Sequence, residues 1–233
     1  MNIDHTKPLT EDFVREFQNE VNWDYISSNQ ELSEKFIREF QDKVNWTNIS
    51  ANQKWSENFI KEFQNEVNWN KISYYQKLNE EFIREFQDKV NWLYISCYQK
   101  LSEDFIREFK DQINWDNISK YQILSENFIR EFKDKIDWNY ISVNQKLSEK
   151  FIIEFQDKVD WNWISYYQKL SEKFIRKFKD KIHWIFLLKK YGYCLLNLNN
   201  KYQIKSNNYC SDLLNFSELI NLTLKLIKLK AFQ

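Results

Sequence analysis

The chain has 233 residues, with 34 Lys and Arg against 34 Asp and Glu, 42% hydrophobic residues, and only one Gly and one Pro. A single Gly excludes the Gly-rich phosphate loops of nucleotide-binding folds and the many tight turns of a β-sandwich. The apolar content is too high and too regularly placed for a disordered chain, and the zero net charge argues against a general polyanion binder.

Cysteine usage and hydropathy indicate the compartment. Cys97, Cys194 and Cys210 are odd in number and widely spaced, which argues against a disulfide framework. The segment that follows Met1 has no basic stretch leading into an apolar one, so we predict no secretory signal. No run reaches the ~18 apolar residues of a membrane span, so no transmembrane segment is predicted. We therefore expect an intracellular, soluble protein with reduced thiols.

The main feature of the sequence is a tandem repeat, in which one motif recurs every 23 residues in eight consecutive copies. The copy at residues 32–54 reads LSEKFIREFQDKVNWTNISANQK. The repeat tryptophans are Trp23, Trp46, Trp69, Trp92, Trp115, Trp138, Trp161 and Trp184. Two phenylalanine positions, such as Phe36 and Phe40 in this copy, keep the same period and hold 16 of the 19 Phe. Comparison among copies therefore shows which positions are constrained.

Each copy begins with a pattern typical of a short amphipathic helix, which we name helix A. In the copy at 32–54, Phe36, Phe40 and Val44 follow one another at four-residue steps, which predicts a helix over about residues 34–44. Ser33 stands where an N-cap belongs. On the exposed face we expect two ion pairs at this spacing, Glu39 with Lys43 and Arg38 with Asp42.

A second helix, helix B, follows after a turn. Val44 and Trp46 are two residues apart, which on one continuous helix would place them on nearly opposite faces. A turn at Asn45 resolves this conflict, because its side chain can cap a new helix. Trp46, Ile49 and Gln53 then share one buried face of helix B.

These helix pairs predict the fold. Helices of about 11 and 8 residues are marginal in water by themselves, so the pairs must stack. We expect an all-α fold, an α-solenoid of eight stacked 23-residue helix-turn-helix repeats over residues 9–187, after an N-terminal lead at 1–8. A single long helix or coiled coil is the alternative, but the turn at Asn45 and the absence of heptads argue against it.

The pattern stops after the eighth copy. Residues 188–233 are rich in Asn, Lys and Leu, contain the single Gly192, and carry seven Lys against Asp212 and Glu218. We predict an irregular C-terminal cap or tail that covers the last repeat, and a basic amphipathic membrane contact is the alternative.

Two polar positions are the same in seven copies, and they predict a structural role. They are the Gln seven residues after each repeat Trp, as in Gln53, and the Ser three residues before that Gln, as in Ser50. A hydrogen-bond ladder to the backbone of neighbouring repeats explains this constancy. A ligand-reading ladder would require side chains that vary from copy to copy.

The sequence offers no catalytic constellation. Its two histidines, His5 and His183, lie near opposite ends of the array, and the Cys and His spacings fit no zinc site. His183 replaces the Asn or Asp before Trp184, so we interpret it as a helix cap. We therefore predict no enzyme activity, no catalytic residue, no metal ligand and no cofactor.

The variable positions of helix B are the candidate binding surface. Two positions, two and five residues after each Trp, lie on one face of helix B and differ from copy to copy. Their aromatic members are of the types enriched in binding hot spots, and Trp163 with Tyr166 should form the densest patch. The candidate partner-binding residues are Tyr25, Tyr74, Tyr94, Tyr140, Trp163 and Tyr166. Aromatic rings that merely fill gaps between repeats are the alternative.

The repeat motif resembles a known group. Leu-Ser-Glu, Phe-Ile-Arg-Glu-Phe, Asp-Lys-Val-Asn/Asp-Trp and Ile-Ser-x-x-Gln-Lys are similar to tandem repeats of uncharacterised proteins of giant DNA viruses of amoebae, the mimivirus-like group. The resemblance covers residues 9 to about 187. It implies a viral origin and a location in the cytoplasm of the host cell, but no activity.

Three functions are compatible with this sequence. We expect a non-enzymatic helical-repeat scaffold that binds a protein, such as a host factor, along helix B. Nucleic-acid binding by stacked aromatic residues and the basic tail is a less favoured alternative. A structural component that self-associates end to end through its terminal repeats is the third.

Overall fold

The computed structural model describes residues 8–190, and within them it contains sixteen helices and no strand. The A helices are α1 (Glu11–Glu16), α3 (Glu34–Glu39), α5 (Glu57–Glu62), α7 (Glu80–Glu85), α9 (Glu103–Glu108), α11 (Glu126–Glu131), α13 (Glu149–Glu154) and α15 (Glu172–Lys177). The B helices are α2 (Trp23–Asn29), α4 (Trp46–Asn52), α6 (Trp69–Tyr75), α8 (Trp92–Tyr98), α10 (Trp115–Tyr121), α12 (Trp138–Asn144), α14 (Trp161–Tyr167) and α16 (Trp184–Lys190). The predicted all-α repeat is confirmed.

The helices belong to two compact units, which divide between Gln122 and Ile123. In the first unit the B helices pack in series, α2 on α4, α4 on α6, α6 on α8 and α8 on α10. In the second unit α12 packs on α14, and α14 on α16. Serial packing of helix pairs is the α-solenoid arrangement that was predicted. Residues 1–7 of the predicted lead (1–8) and residues 191–233 of the predicted tail (188–233) lie outside the described residues.

Local hydrogen bonds explain where each helix begins. The Ser33 hydroxyl accepts the N–H of Phe36 at 3.1 Å, and the Asn45 side chain caps helix B in the same way. In the eighth repeat, His183 Nδ1 accepts the N–H of Phe186 at 3.3 Å. The predicted caps, including that of His183, are therefore confirmed.

Helix A is shorter than predicted. It ends at Glu39 rather than at residue 44, because Phe40 has φ −118° and ψ 28° and leaves the helical region. A closing turn follows, in which Phe40 accepts the N–H of Val44 at 3.1 Å. Because the hydrogen bond of this turn joins residues four apart, as in a helix, Val44 is still buried, with 8% of its surface exposed. The sequence period therefore could not distinguish this turn from continued helix.

The apolar core is an aromatic layer between consecutive repeats. The Trp23 ring lies 6.2 Å from Phe36 and 5.1 Å from Phe40, measured between centroids, and its Nε1 donates to the Gln18 carbonyl at 2.9 Å. Within each unit the same contact recurs for Trp46, Trp69, Trp92, Trp138 and Trp161. Within its unit, each of these six tryptophans thus fixes one repeat onto the next.

The glutamine position forms the predicted ladder. Gln99 accepts the N–H of Leu78 at 3.0 Å and donates to the carbonyls of Gln76 and Ser73 at 2.8 and 3.2 Å. Only 4% of its surface is exposed. One buried amide therefore satisfies two carbonyls of the preceding repeat and the N–H of Leu78, which begins its own repeat.

The serine position joins the repeats in a similar way. The fully buried Ser73 hydroxyl donates to the Trp69 carbonyl at 2.7 Å and accepts the N–H of Asn91 at 2.9 Å. A serine is required here because its hydroxyl must donate within its own helix and accept from the next repeat.

Charged side chains of helix A pair within the helix, as Arg38 does with Glu34 at 3.4 Å, and also between repeats, but not in the predicted pairs. The predicted pairs were Glu39 with Lys43 and Arg38 with Asp42. Instead, Arg38 Nε lies 2.8 Å from Glu62 of the next repeat, and Lys43 Nζ donates to Gln18 Oε1 of the preceding repeat at 2.7 Å. That prediction was wrong because helix A ends at Glu39, so the helical spacing does not continue to residues 42 and 43.

The ion pair between repeats is missing at one place, where both of its positions carry other residues. In the seventh repeat Ile153 replaces the Arg, and in the eighth repeat Lys177 replaces the Glu that would have paired with it. Elsewhere in the second unit, Arg130 and Glu154 keep the pair at 2.9 Å. Both partners of a single bridge have therefore changed together.

Candidate functional site

The candidate surface is the outer face of helix B, which we define as the positions two, five and six residues after each repeat tryptophan. The polar atoms of the constant Gln and Ser side chains bond between repeats, so the side chains free to vary lie on this face. Of the six predicted residues, Tyr74 has 36% of its surface exposed. The half-buried ones are Tyr25, Tyr94, Tyr140, Trp163 and Tyr166.

Four tyrosines of the third and fourth repeats form a cluster, the tyrosine cluster. Tyr74 is at its centre, with ring centroids 4.4 Å from Tyr75, 5.2 Å from Tyr94 and 4.2 Å from Tyr98. A hydrogen bond with Tyr74, together with desolvation, raises the pKa of the Tyr98 hydroxyl above its ordinary value. The structure therefore brings the predicted residues Tyr74 and Tyr94 together.

A second aromatic cluster, the Trp163 cluster, lies on α14 and α16. Trp163 stacks on Phe186 with centroids 5.8 Å apart and an interplanar angle of 12°, and Tyr166 meets the same ring edge-on at 6.1 Å. Tyr167 packs outside Trp163 at 5.8 Å and has 49% of its surface exposed. Trp163 and Tyr166 therefore share Phe186 and contribute to packing between repeats as well as to the surface.

The other two predicted residues lie on different repeats. Tyr25, on α2, lines a cavity of about 390 Å³ together with Pro8 and Asn52. Tyr140 is half-buried on α12. Tyr25 is two repeats before Tyr74, so the six predicted residues do not form one continuous patch.

The most exposed aromatic position was not among the predicted residues. It is the sixth residue after each tryptophan, where Tyr75, Tyr98, Tyr121 and Tyr167 have 49–53% of their surface exposed. The sequence contained an indication of this exposure, because in seven copies the position holds either Tyr or the polar residue Asn, as in Asn29, Asn52 and Asn144. It was missed because face assignment by spacing does not say how far a ring projects from the helix.

The second repeat departs locally from the others. Its helix B is followed by Trp55 where other repeats have Leu, and Trp55 Nε1 donates to the Ile49 carbonyl at 2.6 Å. In the other B helices that end within residues 8–190, the N–H of the closing Gln bonds to this carbonyl. Gln53 lacks that bond and is half-buried, beside a cavity of about 780 Å³ that Ala51 and Tyr75 also line.

Amide exchange should reveal this departure. We expect the Gln53 amide to exchange about tenfold faster than that of Gln76, because only the latter is bonded to its helix. The substitution Trp55→Leu restores the residue found in other repeats, so it should return Gln53 to the protection of Gln76. Hydrogen exchange followed by mass spectrometry or NMR measures both. Equal protection of the two amides in the unsubstituted chain would contradict the prediction.

No family model, curated protein or solved structure matches this chain. Between residues 8 and 190, no group of three or more His, Cys, Asp or Glu side chains is placed to hold a metal ion. Over the same range, no helix is both long enough and apolar enough to cross a membrane. The function must therefore be inferred from the outer face of helix B itself.

Proposed function

We propose that this chain is a non-enzymatic helical-repeat scaffold that acts inside the cell and binds a protein partner through the outer face of helix B. The observation that carries this proposal is the pair of aromatic clusters centred on Tyr74 and Trp163, whose rings are exposed or half-buried. Tyr and Trp are the side chains most enriched at the centres of protein interfaces. A host-cell protein is the partner that the resemblance to giant-virus repeats suggests.

The constant and the variable positions of the repeat have different roles, and this supports the proposal. The constant Trp, Gln and Ser side chains make the contacts between repeats, as Trp69, Gln99 and Ser73 show. A solenoid of this kind supplies a regular support, and recognition falls to the positions that packing leaves variable.

Affinity capture tests this function with the full chain as bait in a lysate of the host cell. The test variant is Trp163→Asn with Tyr166→Ser, because Asn and Ser occupy these same positions in other repeats, at Asn48 and Ser28. We expect a protein that is enriched on the unsubstituted chain and lost from this variant. The control variant, Lys150→Ala with Lys173→Ala, changes exposed residues of helix A and should retain the partner.

Circular dichroism and thermal melting must accompany the capture. A variant with a retained helical spectrum and no partner supports the surface. A partner retained at full yield by the folded variant would reject the Trp163 cluster, and a bait that enriches no protein would reject the scaffold.

A further inference from the structure

Three exposed tyrosines of the first unit lie on three consecutive B helices. Tyr75, Tyr98 and Tyr121 are the last residues of α6, α8 and α10, and they have 53%, 49% and 49% of their surface exposed. Because α6 packs on α8 and α8 packs on α10, the three rings occupy equivalent positions along one face of this unit. We name them the tyrosine row.

Lysines accompany the tyrosine row. Lys71 Nζ lies 5.7 Å from the centroid of the Tyr75 ring, and Lys120 Nζ lies 4.9 Å from that of Tyr121. Lys77 and Lys100 each follow a row tyrosine by two residues and are exposed. Neither of these two forms an ion pair within the described part of the chain.

Positive charge predominates on the first two helices of this face, α6 and α8, whereas the third helix, α10, carries Asp116 as well as Lys120. The segments 69–78 and 92–101, which contain α6 and α8 and the residues just after them, carry Lys71, Lys77 and Lys100 and no acidic residue. On helix A, by contrast, Arg84 is matched by Glu108 of the next repeat at 2.8 Å. At Tyr75 and Tyr98 the row therefore combines exposed rings with two lysines, Lys77 and Lys100, that form no ion pair within the described residues.

We propose that the tyrosine row binds an extended acidic peptide of a partner protein. The carboxylates of such a peptide would pair with Lys77 and Lys100, and its apolar side chains would rest on the half-exposed rings. Charge complementarity supports this occupant, since unmatched cations attract an anionic partner and set its register. The inference rests on the proposed scaffold function and names the partner's chemistry.

The ring contacts favour a peptide over a nucleic acid. Sequence-tolerant binding of single strands needs aromatic faces open to stacking bases. Here Lys71 and Lys120 each cover a face of their tyrosine, and the Tyr98 centroid is 4.2 Å from that of Tyr74. These rings are better suited to lateral contacts with side chains than to successive stacking.

A peptide library tests the inference directly. A displayed library of random peptides of about 12 residues is selected on the full chain, and in parallel on the triple variant Tyr75→Asn, Tyr98→Asn, Tyr121→Asn. The fold tolerates Asn at this position, since Asn29, Asn52 and Asn144 occupy it in other repeats. Circular dichroism confirms that the variant is folded.

We expect the selected peptides to carry an excess of Asp and Glu. The best synthetic peptide should lose about tenfold or more in affinity for the triple variant, and a similar factor for Lys77→Glu with Lys100→Glu. Glu31 holds the equivalent lysine position in the first repeat. The control variant Lys150→Ala with Lys173→Ala, on helix A, should leave affinity unchanged. Affinity should also fall as salt rises from about 50 to about 500 mM.

Four results would overturn the inference. Selected peptides that are neutral or basic would do so, as would acidic peptides that bind the triple variant equally well. An oligo(dT) probe that binds through the row while no peptide does would replace the peptide with a nucleic acid. If the library fails but a Trp163-dependent partner is still captured, the scaffold function stands and only the acidic chemistry falls.

Discussion

The substitution Gln99→Ala is expected to lower the free energy of unfolding by about 3 kcal/mol. Gln99 bonds the N–H of Leu78 and the carbonyls of Gln76 and Ser73, and it is 4% exposed. Alanine would leave buried backbone groups without partners, and each such group costs about 1 to 3 kcal/mol. Urea unfolding followed by circular dichroism measures the change.

Gln53 supplies the matched control for this prediction. It makes two of the three equivalent bonds, to the N–H of Leu32 and the carbonyl of Gln30, and it is half-buried. Gln53→Ala should therefore cost about half as much as Gln99→Ala. If both variants unfold within about 0.5 kcal/mol of the unsubstituted chain, the ladder does not stabilise the array.

The substitution Phe105→Ala should be still more destabilising, by about 4 kcal/mol. Phe105 is fully buried, with ring centroids 6.2 Å from Trp92 and 4.6 Å from Phe109. Its removal deletes the apolar burial and leaves a cavity in a layer that joins two repeats. Because solenoid repeats are coupled to their neighbours, amide protection should fall first in the third to fifth repeats.

Phe13 occupies the same position in the first repeat and tests whether burial sets this cost. It is half-buried, although its ring still lies 4.6 Å from Phe17. Phe13→Ala should therefore lower the free energy of unfolding by about 1 to 2 kcal/mol, because Phe13 buries less apolar surface on folding than Phe105 does. Equal losses for Phe13→Ala and Phe105→Ala would contradict the burial argument.

Local features of the repeat were predictable from single residues. Ser33 and Asn45 are capping side chains at the start of apolar periodic segments, and both cap a helix in the structure. The constancy of the Gln and Ser positions predicted a ladder, because a buried polar side chain persists across copies only where its bonds are required.

Two features were not predictable in the same way, namely the residue at which helix A ends and the partners of its charged side chains. The four-residue step from Phe40 to Val44 fits a helix and a closing turn equally well, so the end of helix A at Glu39 was missed. The ion pair of Arg38 with Glu62 spans 24 residues of sequence, and spacing rules within one helix cannot identify it.

The candidate surface shows the same limit. Sequence spacing placed Tyr74 and Tyr94 on one face, and the structure brings their rings to 5.2 Å. Spacing did not indicate that Tyr75 and Tyr98 project furthest into solvent, nor that Trp163 would stack on Phe186. Exposure of a ring depends on the side chains of the adjacent helix.

The sequence by itself determined the repeat length, the helix pair, the caps and the identity of the ladder residues, because each depends on groups within one copy or on comparison among copies. The tertiary structure decided the length of helix A, the partners of its charges and the exposure of each tyrosine. The charge partners and the ring exposures depend on atoms of the next repeat, which packing brings close and which spacing within one copy does not describe. The end of helix A depends on a local turn that has the same four-residue step as a helix.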